Sequence, residues 1–307
     1  MTIETFQQPL PHGITLSCRA AGAVGRPVLM FLHGFPEAAF VWDTLLDHFA
    51  MPEHGGYRCI APNLRGYELS TTPTDVKAYR AKHLVQDIAA LIEIAGAPLD
   101  CLVAHDWGGA VAWNLANQMP GSMKRLAIIN SPHPGTFLRE LKSNPKQQAA
   151  SSYMNFLIRP DAEHLLAEKD YARMWPFFTH GSSPASWLTE AVKNQYRQIW
   201  DGPPGSAPGT GLVGGCNYYR ASPLRPPTAQ VPAAAAIELP MAALTVDIPT
   251  LVLWAMEDIA LPPELIDGLE RYIPQLTLEK IEGASHWVVH ERPDFVAARL
   301  ADFLQPD

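Results

Sequence analysis

A chain of 307 residues with 47% hydrophobic and 18% charged content can bury a large core, and it suits one domain carrying an insertion, or two domains. Its 23 basic against 31 acidic residues leave a net charge of -8, which argues against non-specific nucleic acid binding and does not favour an anionic membrane surface. The sequence shows no basic flank followed by an apolar targeting segment and no apolar stretch of membrane-spanning length, so a soluble, cytoplasmic protein with a small-molecule partner is expected.

Residues 14–20 alternate loosely and predict an early antiparallel strand. The turn Gly22-Ala23-Val24-Gly25 leads into Val28-Leu29-Met30-Phe31-Leu32, an apolar run that suits a strand buried on both faces. His33-Gly34-Phe35-Pro36-Glu37 breaks that run and starts a helical pattern over 40–49. Residues 57–61 read as the next strand, and Leu84, Ile88, Leu91, Ile92 and Ala95 share one face of a helix over 81–95. Strands at 101–105 and 126–129 flank a helix over 110–118. Cys18, Cys59, Cys101 and Cys216 are widely spaced and the first three fall in predicted strands, so neither a metal-ligand pattern nor a disulfide framework is expected.

Strands alternating with helices at these lengths indicate an α/β class with a mostly parallel, doubly covered sheet. The rhythm stops over 136–240, which is helical in character, rich in aromatics, and contains a Gly- and Pro-rich loop over 201–215. It resumes with a strand at 250–254, a helix over 263–272, a strand over 276–281 and a helix over 293–304. The expected organisation is a core domain of residues 1–135 and 241–307, interrupted by a helical cap domain of residues 136–240. Insertions at the carboxyl ends of strands commonly cover the site.

The stretch Cys101 to Ala110 organises this reading. An apolar strand ends at Asp106, and Gly108 and Gly109 open the following helix. A strand-to-helix elbow strains its central residue, requires small neighbours, and aims a helix N-terminus at whatever the projecting side chain attacks. Asp106 is the candidate nucleophile, and its alternative is a helix N-cap. Two further residues lie at carboxyl ends of strands: Asp258, with Glu257 as its rival, and His286, with His290 as its rival. Nucleophile, acid and histidine then follow in the chain order of an α/β-hydrolase triad, with room between them for a cap and a strand, then a helix and a strand.

With His33-Gly34-Phe35-Pro36-Glu37, Leu64-Arg65-Gly66-Tyr67, His105-Asp106-Trp107-Gly108-Gly109, Asn130-Ser131-Pro132-His133-Pro134 and Ser285-His286-Trp287 in order, the chain resembles the α/β-hydrolase family, and within it the soluble epoxide hydrolases. The resemblance implies the α/β-hydrolase fold with an inserted helical cap. It also implies that Asp106 opens an epoxide as a covalent ester, that His286 oriented by Asp258 activates water, and that the N–H groups of Phe35 and Trp107 form the oxyanion hole. It assigns proton donation to two cap tyrosines, Tyr153 and Tyr219, the latter with Tyr218 as a rival. It further implies a substrate site built from His33, Pro36, His105, Trp107, His133, Phe156, Tyr218 and Trp287. Neither an organic cofactor nor a metal is called for; the partners are an apolar epoxide and water, and a homodimer is left open.

Dehalogenases with an Asp nucleophile are the second reading. Their halide site pairs the Trp after the nucleophile with an Asn where this chain has Phe35, and the haloacetate type places arginines where this chain has Trp107 and Ala110. A third reading, from a different class, is a hydrolase-fold protein that binds a ligand without catalysis. The family's turn after Arg65-Gly66-Tyr67 usually continues with Gly, whereas this chain has Glu68, so a different local conformation is expected there.

Overall fold

The computed structural model describes residues 2–179 and 185–305. Its sheet contains β1 (Glu4–Pro9), β2 (Thr15–Ala21), β3 (Val28–Leu32), β4 (Arg58–Pro62), β5 (Cys101–His105), β6 (Leu126–Ile129), β7 (Thr250–Ala255) and β8 (Leu276–Ile281). The spatial order is β1-β2-β4-β3-β5-β6-β7-β8. The pairs β1–β2 and β2–β4 are antiparallel and every other neighbouring pair is parallel.

Helices α1 (Asp43–Ala50), α2 (Ala81–Ala95) and α3 (Asp106–Gln118) connect the first strands. Between β6 and β7 come α4 (Pro134–Ser143), α5 (Pro145–Ala150), α6 (Tyr153–Leu157), α7 (Ala162–Tyr171), α8 (Trp175–Thr179), α9 (Glu190–Asp201) and α10 (Val213–Ala221), with no strand among the described residues. The chain closes with α11 (Val288–Glu291) and α12 (Pro293–Leu304). The apolar strands divide their side chains between two cores. Leu29 and Phe31 pack with Leu46 and Phe49 of α1 and Leu300 of α12, whereas Met30 and Leu32 pack with Ile88 of α2 and Leu115 of α3. Each such burial contributes roughly 1.5–3 kcal/mol, which is why the sheet needs a helical layer on both faces.

Four sequence expectations are corrected. β1 was not anticipated, because Glu4, Gln7 and Gln8 give an edge strand with little apolar signal. The expected helix over 263–272 is two 3-10 turns, Pro263–Ile266 and Leu269–Arg271, separated where Gly268 adopts φ +81. Helix α3 starts at Asp106 rather than at 110. The loop expected over 201–215 is shorter, since Asp201 ends α9 and Thr210 already begins helical turns that run into α10. The expected cap also includes residues 180–184, which lie outside the described residues. No helix among the described residues is long and apolar enough to cross a membrane.

Candidate active site

The elbow after β5 is built from close contacts. Asp106 has φ +48, a left-handed conformation that costs a non-glycine residue on the order of 1–2 kcal/mol. It is held there because the Ser131 hydroxyl donates to the Asp106 carbonyl at 2.6 Å. Gly109 makes room for that serine: a Cβ on Gly109 would lie 2.3 Å from the Cβ of Ser131. The Asp106 side chain stands at the start of α3, and the Phe35 N–H donates to its Oδ1 at 2.7 Å. Trp107 follows in the first turn, where backbone N–H groups lack intrahelical acceptors.

On the other side of the carboxylate, His286 Nε2 lies 3.9 Å from Asp106 Oδ2. His286 Nδ1–H donates to Asp258 Oδ2 at 2.6 Å. Asp258 is buried, and its remaining lone pairs are filled by the N–H groups of Ala260 and Leu261 at 2.9 Å and by the Asn130 amide at 2.9 Å. Burial alone would raise the Asp258 pKa, but the charge and hydrogen bond of His286 hold it below the ordinary carboxylate value. Burial would likewise lower the His286 pKa; the Asp258 carboxylate, with smaller contributions from Asp106 and Glu37, instead holds it up at about 9. Glu257 is exposed, and His290 hydrogen-bonds Glu37 rather than Asp258, so neither rival shares the contacts that join Asp106, His286 and Asp258.

Tyr153 at the start of α6 and Tyr219 in α10 stand over Asp106. Their ring centroids are 6.0 Å apart in an edge-to-face arrangement. Burial first, then neighbouring charge including Asp106, raises both phenol pKa values, so both hydroxyls carry their protons at neutral pH. Helix α10 reaches this position because it begins with small residues: a Cβ on Gly214 would lie 1.9 Å from the Gly66 carbonyl oxygen. Tyr218 points elsewhere, its hydroxyl donating to the Arg65 carbonyl at 3.0 Å.

Two cavities meet at this point. The first, of about 310 Å³, is lined by Asp106, His286, Pro36 and Trp287 among others; the second, of about 290 Å³, is lined by Asp106, Trp107 and Tyr218 among others. Tyr153 and Tyr219 line both.

The remaining residues expected in the substrate site fall outside it. His33 and His133 are buried as neutral rings, each donating from one nitrogen to a carbonyl (Gly34 and Leu244) and accepting a backbone N–H on the other (Leu64 and Gly135). Burial lowers both to about 4. His105 sits behind the triad, bridging Glu37 Oε2 at 3.1 Å and the His286 carbonyl at 3.0 Å. Phe156 is half-buried against the apolar core and lines neither cavity. Two contributors were not anticipated. Asn130, at φ +40 after β6, ties Asp258 to β7 through the Ala255 N–H at 2.9 Å. Glu37 gathers His105, His290 and the Tyr196 hydroxyl of α9. The quoted Asn130 and Glu37 motifs were the available signal, but the partners are joined only through space.

The α/β hydrolase fold family model matches residues 27–293. An AB hydrolase superfamily protein, YfhM of Bacillus subtilis, is 34% identical over 96% of each chain. Epoxide hydrolase 3 of Xenopus tropicalis is 31% identical over 96% of this chain and 76% of its own length. Among solved structures, an epoxide hydrolase from hot-environment metagenomes superposes with a TM-score of 0.84 at 35% identity, covering 100% of both chains. On fold, site geometry and sequence together, the chain belongs to the epoxide hydrolase family of α/β hydrolases.

Proposed function

We propose that this protein hydrolyses epoxides to vicinal diols through a covalent ester on Asp106, with residues 136–240 acting as a cap over the core. The observation that carries the reading is a carboxylate at the elbow, backed by a His–Asp pair, with two protonated phenols in the same cavity. An epoxide oxygen is a poor leaving group unless a proton is donated to it, and phenols suit that role.

In the first step one Asp106 oxygen attacks a ring carbon as the C–O bond of the ring breaks, and the released oxygen takes a proton from Tyr153 or Tyr219. Oδ1 already accepts from Phe35, so Oδ2 attacks and Oδ1 becomes the ester carbonyl oxygen. In the second step His286 takes a proton from water, whose oxygen attacks that carbonyl carbon. The N–H groups of Phe35 and Trp107 stabilise the oxyanion, and its collapse releases the diol, the departing oxygen taking the proton from His286; the second water proton, left on the Asp106 carboxyl group, returns to the tyrosinate and restores both residues. Esterification removes the Asp106 charge that helps hold the His286 pKa up, so the histidine becomes easier to deprotonate as it is needed as a base.

Dehalogenation is the weaker reading, because the halide-binding Asn of that chemistry is replaced by Phe35 and no Lys or Arg among the described residues lines either cavity. The deciding experiment is a side-by-side assay of diol formation and halide release on a small substrate panel, with Asp106→Ala as control. Diol from the native protein and none from the variant is expected. Halide release without diol would install the dehalogenase reading, and neither product would leave a non-catalytic binding protein.

A further inference from the structure

The turn that carries the Phe35 N–H is held from the helical insertion. The Glu37 N–H donates to the Gly34 carbonyl at 3.0 Å, closing a four-residue turn with Phe35 and Pro36 at its centre. Pro36 has no N–H, so its carbonyl is the backbone group through which a partner can hold it. Helix α9 supplies that partner: the indole N–H of buried Trp200 donates to the Pro36 carbonyl at 2.8 Å. One helical turn earlier, buried Tyr196 donates its hydroxyl to Glu37 Oε1 at 3.1 Å. On its other side the turn presses against the nucleophile, since a Cβ on Gly34 would lie 2.3 Å from Asp106 Oδ1. The turn is gripped between α9 and Asp106, with the Phe35 N–H donating to Oδ1 at 2.7 Å.

The two chemical steps depend differently on that grip. Ring opening withdraws charge from Asp106, so a loosened donor at Oδ1 does not slow it. Ester hydrolysis returns a negative charge to the same oxygen, and there the placement of the donor sets the rate. The phenols belong to α6 and α10, so loosening α9 from residues 36 and 37 leaves the proton donors on their own helices. Resting on the epoxide hydrolase reading, we propose that Trp200, seconded by Tyr196, is a positioning residue for ester hydrolysis: by way of Pro36 and Glu37 it fixes the Phe35 N–H, so that the segment presenting the phenols also sets the oxyanion hole.

The test mixes native protein and variants with an excess of an aryl epoxide, quenches with acid at intervals, and measures the ester-bearing protein by mass. Trp200→Phe keeps an aromatic ring and loses the N–H. Its ester should form at the native rate within about twofold and decay about tenfold more slowly, less than the 10²–10³-fold cost of removing an oxyanion donor outright. The ester then accumulates, and kcat and KM fall together. Tyr196→Phe removes one hydroxyl and should slow the same step by about threefold; it carries the test if Trp200→Phe does not fold. Trp175→Phe is the packing control, because its ring lies 4.9 Å from that of Trp200 while its N–H donates to the Asp170 carbonyl, and its ester should decay at the native rate. Unchanged ester decay in both Trp200→Phe and Tyr196→Phe overturns the positioning role while leaving epoxide hydrolysis in place. Ester formation slowed as much as decay, or Trp175→Phe matching Trp200→Phe, would show that α9 supports general packing and would overturn it too. No diol from the native protein with any epoxide overturns the proposed function and this inference with it.

Discussion

At the scale of single residues, the site works by holding opposite demands close together. The Phe35 N–H donates to the Asp106 carboxylate, while burial of Tyr153 and Tyr219 raises the pKa of both phenols and keeps them protonated. In the proposed mechanism His286→Gln removes the base but leaves the nucleophile and the phenols. The expected outcome is a stoichiometric ester, read as a mass increase equal to one substrate, with steady-state turnover reduced by about 10²–10⁴-fold. Unchanged turnover with no adduct would contradict that role. Asp106, Asp258 and His286 were legible because each follows a strand and recurs in a recognisable motif. Asn130 and Glu37 were not, since their value comes from contacts between strand ends and loops that no spacing reveals. His33, His105 and His133 were misread for a related reason: a histidine at a strand end can point into the cavity or behind it, and these three point behind it.

At the scale of elements, short connections carry the strain. Glu68, standing where the family pattern has glycine, adopts φ +45, in the left-handed region. A side chain in that region costs on the order of 1 kcal/mol, and burial raises the Glu68 pKa besides. Glu68→Gly is therefore expected to stabilise the fold by about 1 kcal/mol in urea denaturation, with the slope unchanged. A loss of stability would show instead that the Glu68 carboxylate is held by contacts worth more than the strain. The long apolar strands and the amphipathic α2 were readable because periodicity and burial agree there. The 263–272 segment was not, because apolar residues at helical spacing outweighed one glycine whose backbone angle decides the break.

At the scale of the whole molecule, buried histidines set the response of stability to pH. His33 and His133 have folded pKa values of about 4, below the 6.5 of an unfolded histidine, so the unfolded chain binds more protons between those values. Their contribution, roughly 3 kcal/mol each, is complete above pH 6.5 and lost as pH falls through about 4. His286 has the opposite sign: raised to about 9, its contribution is present below 6.5 and lost as pH rises through 9. Unfolding free energy is expected to fall steeply from pH 7 to 5, and His133→Gln to reduce that slope by about one proton. A flat profile over that range would contradict the neutral, buried assignment. The measurement that bears most directly on function is a single turnover in heavy-oxygen water followed by mass analysis of the peptide containing Asp106. Heavy oxygen in the Asp106 carboxylate is expected, because water attacks the ester carbonyl; heavy oxygen found only in the diol would mean that water opened the ring directly and that no ester was formed.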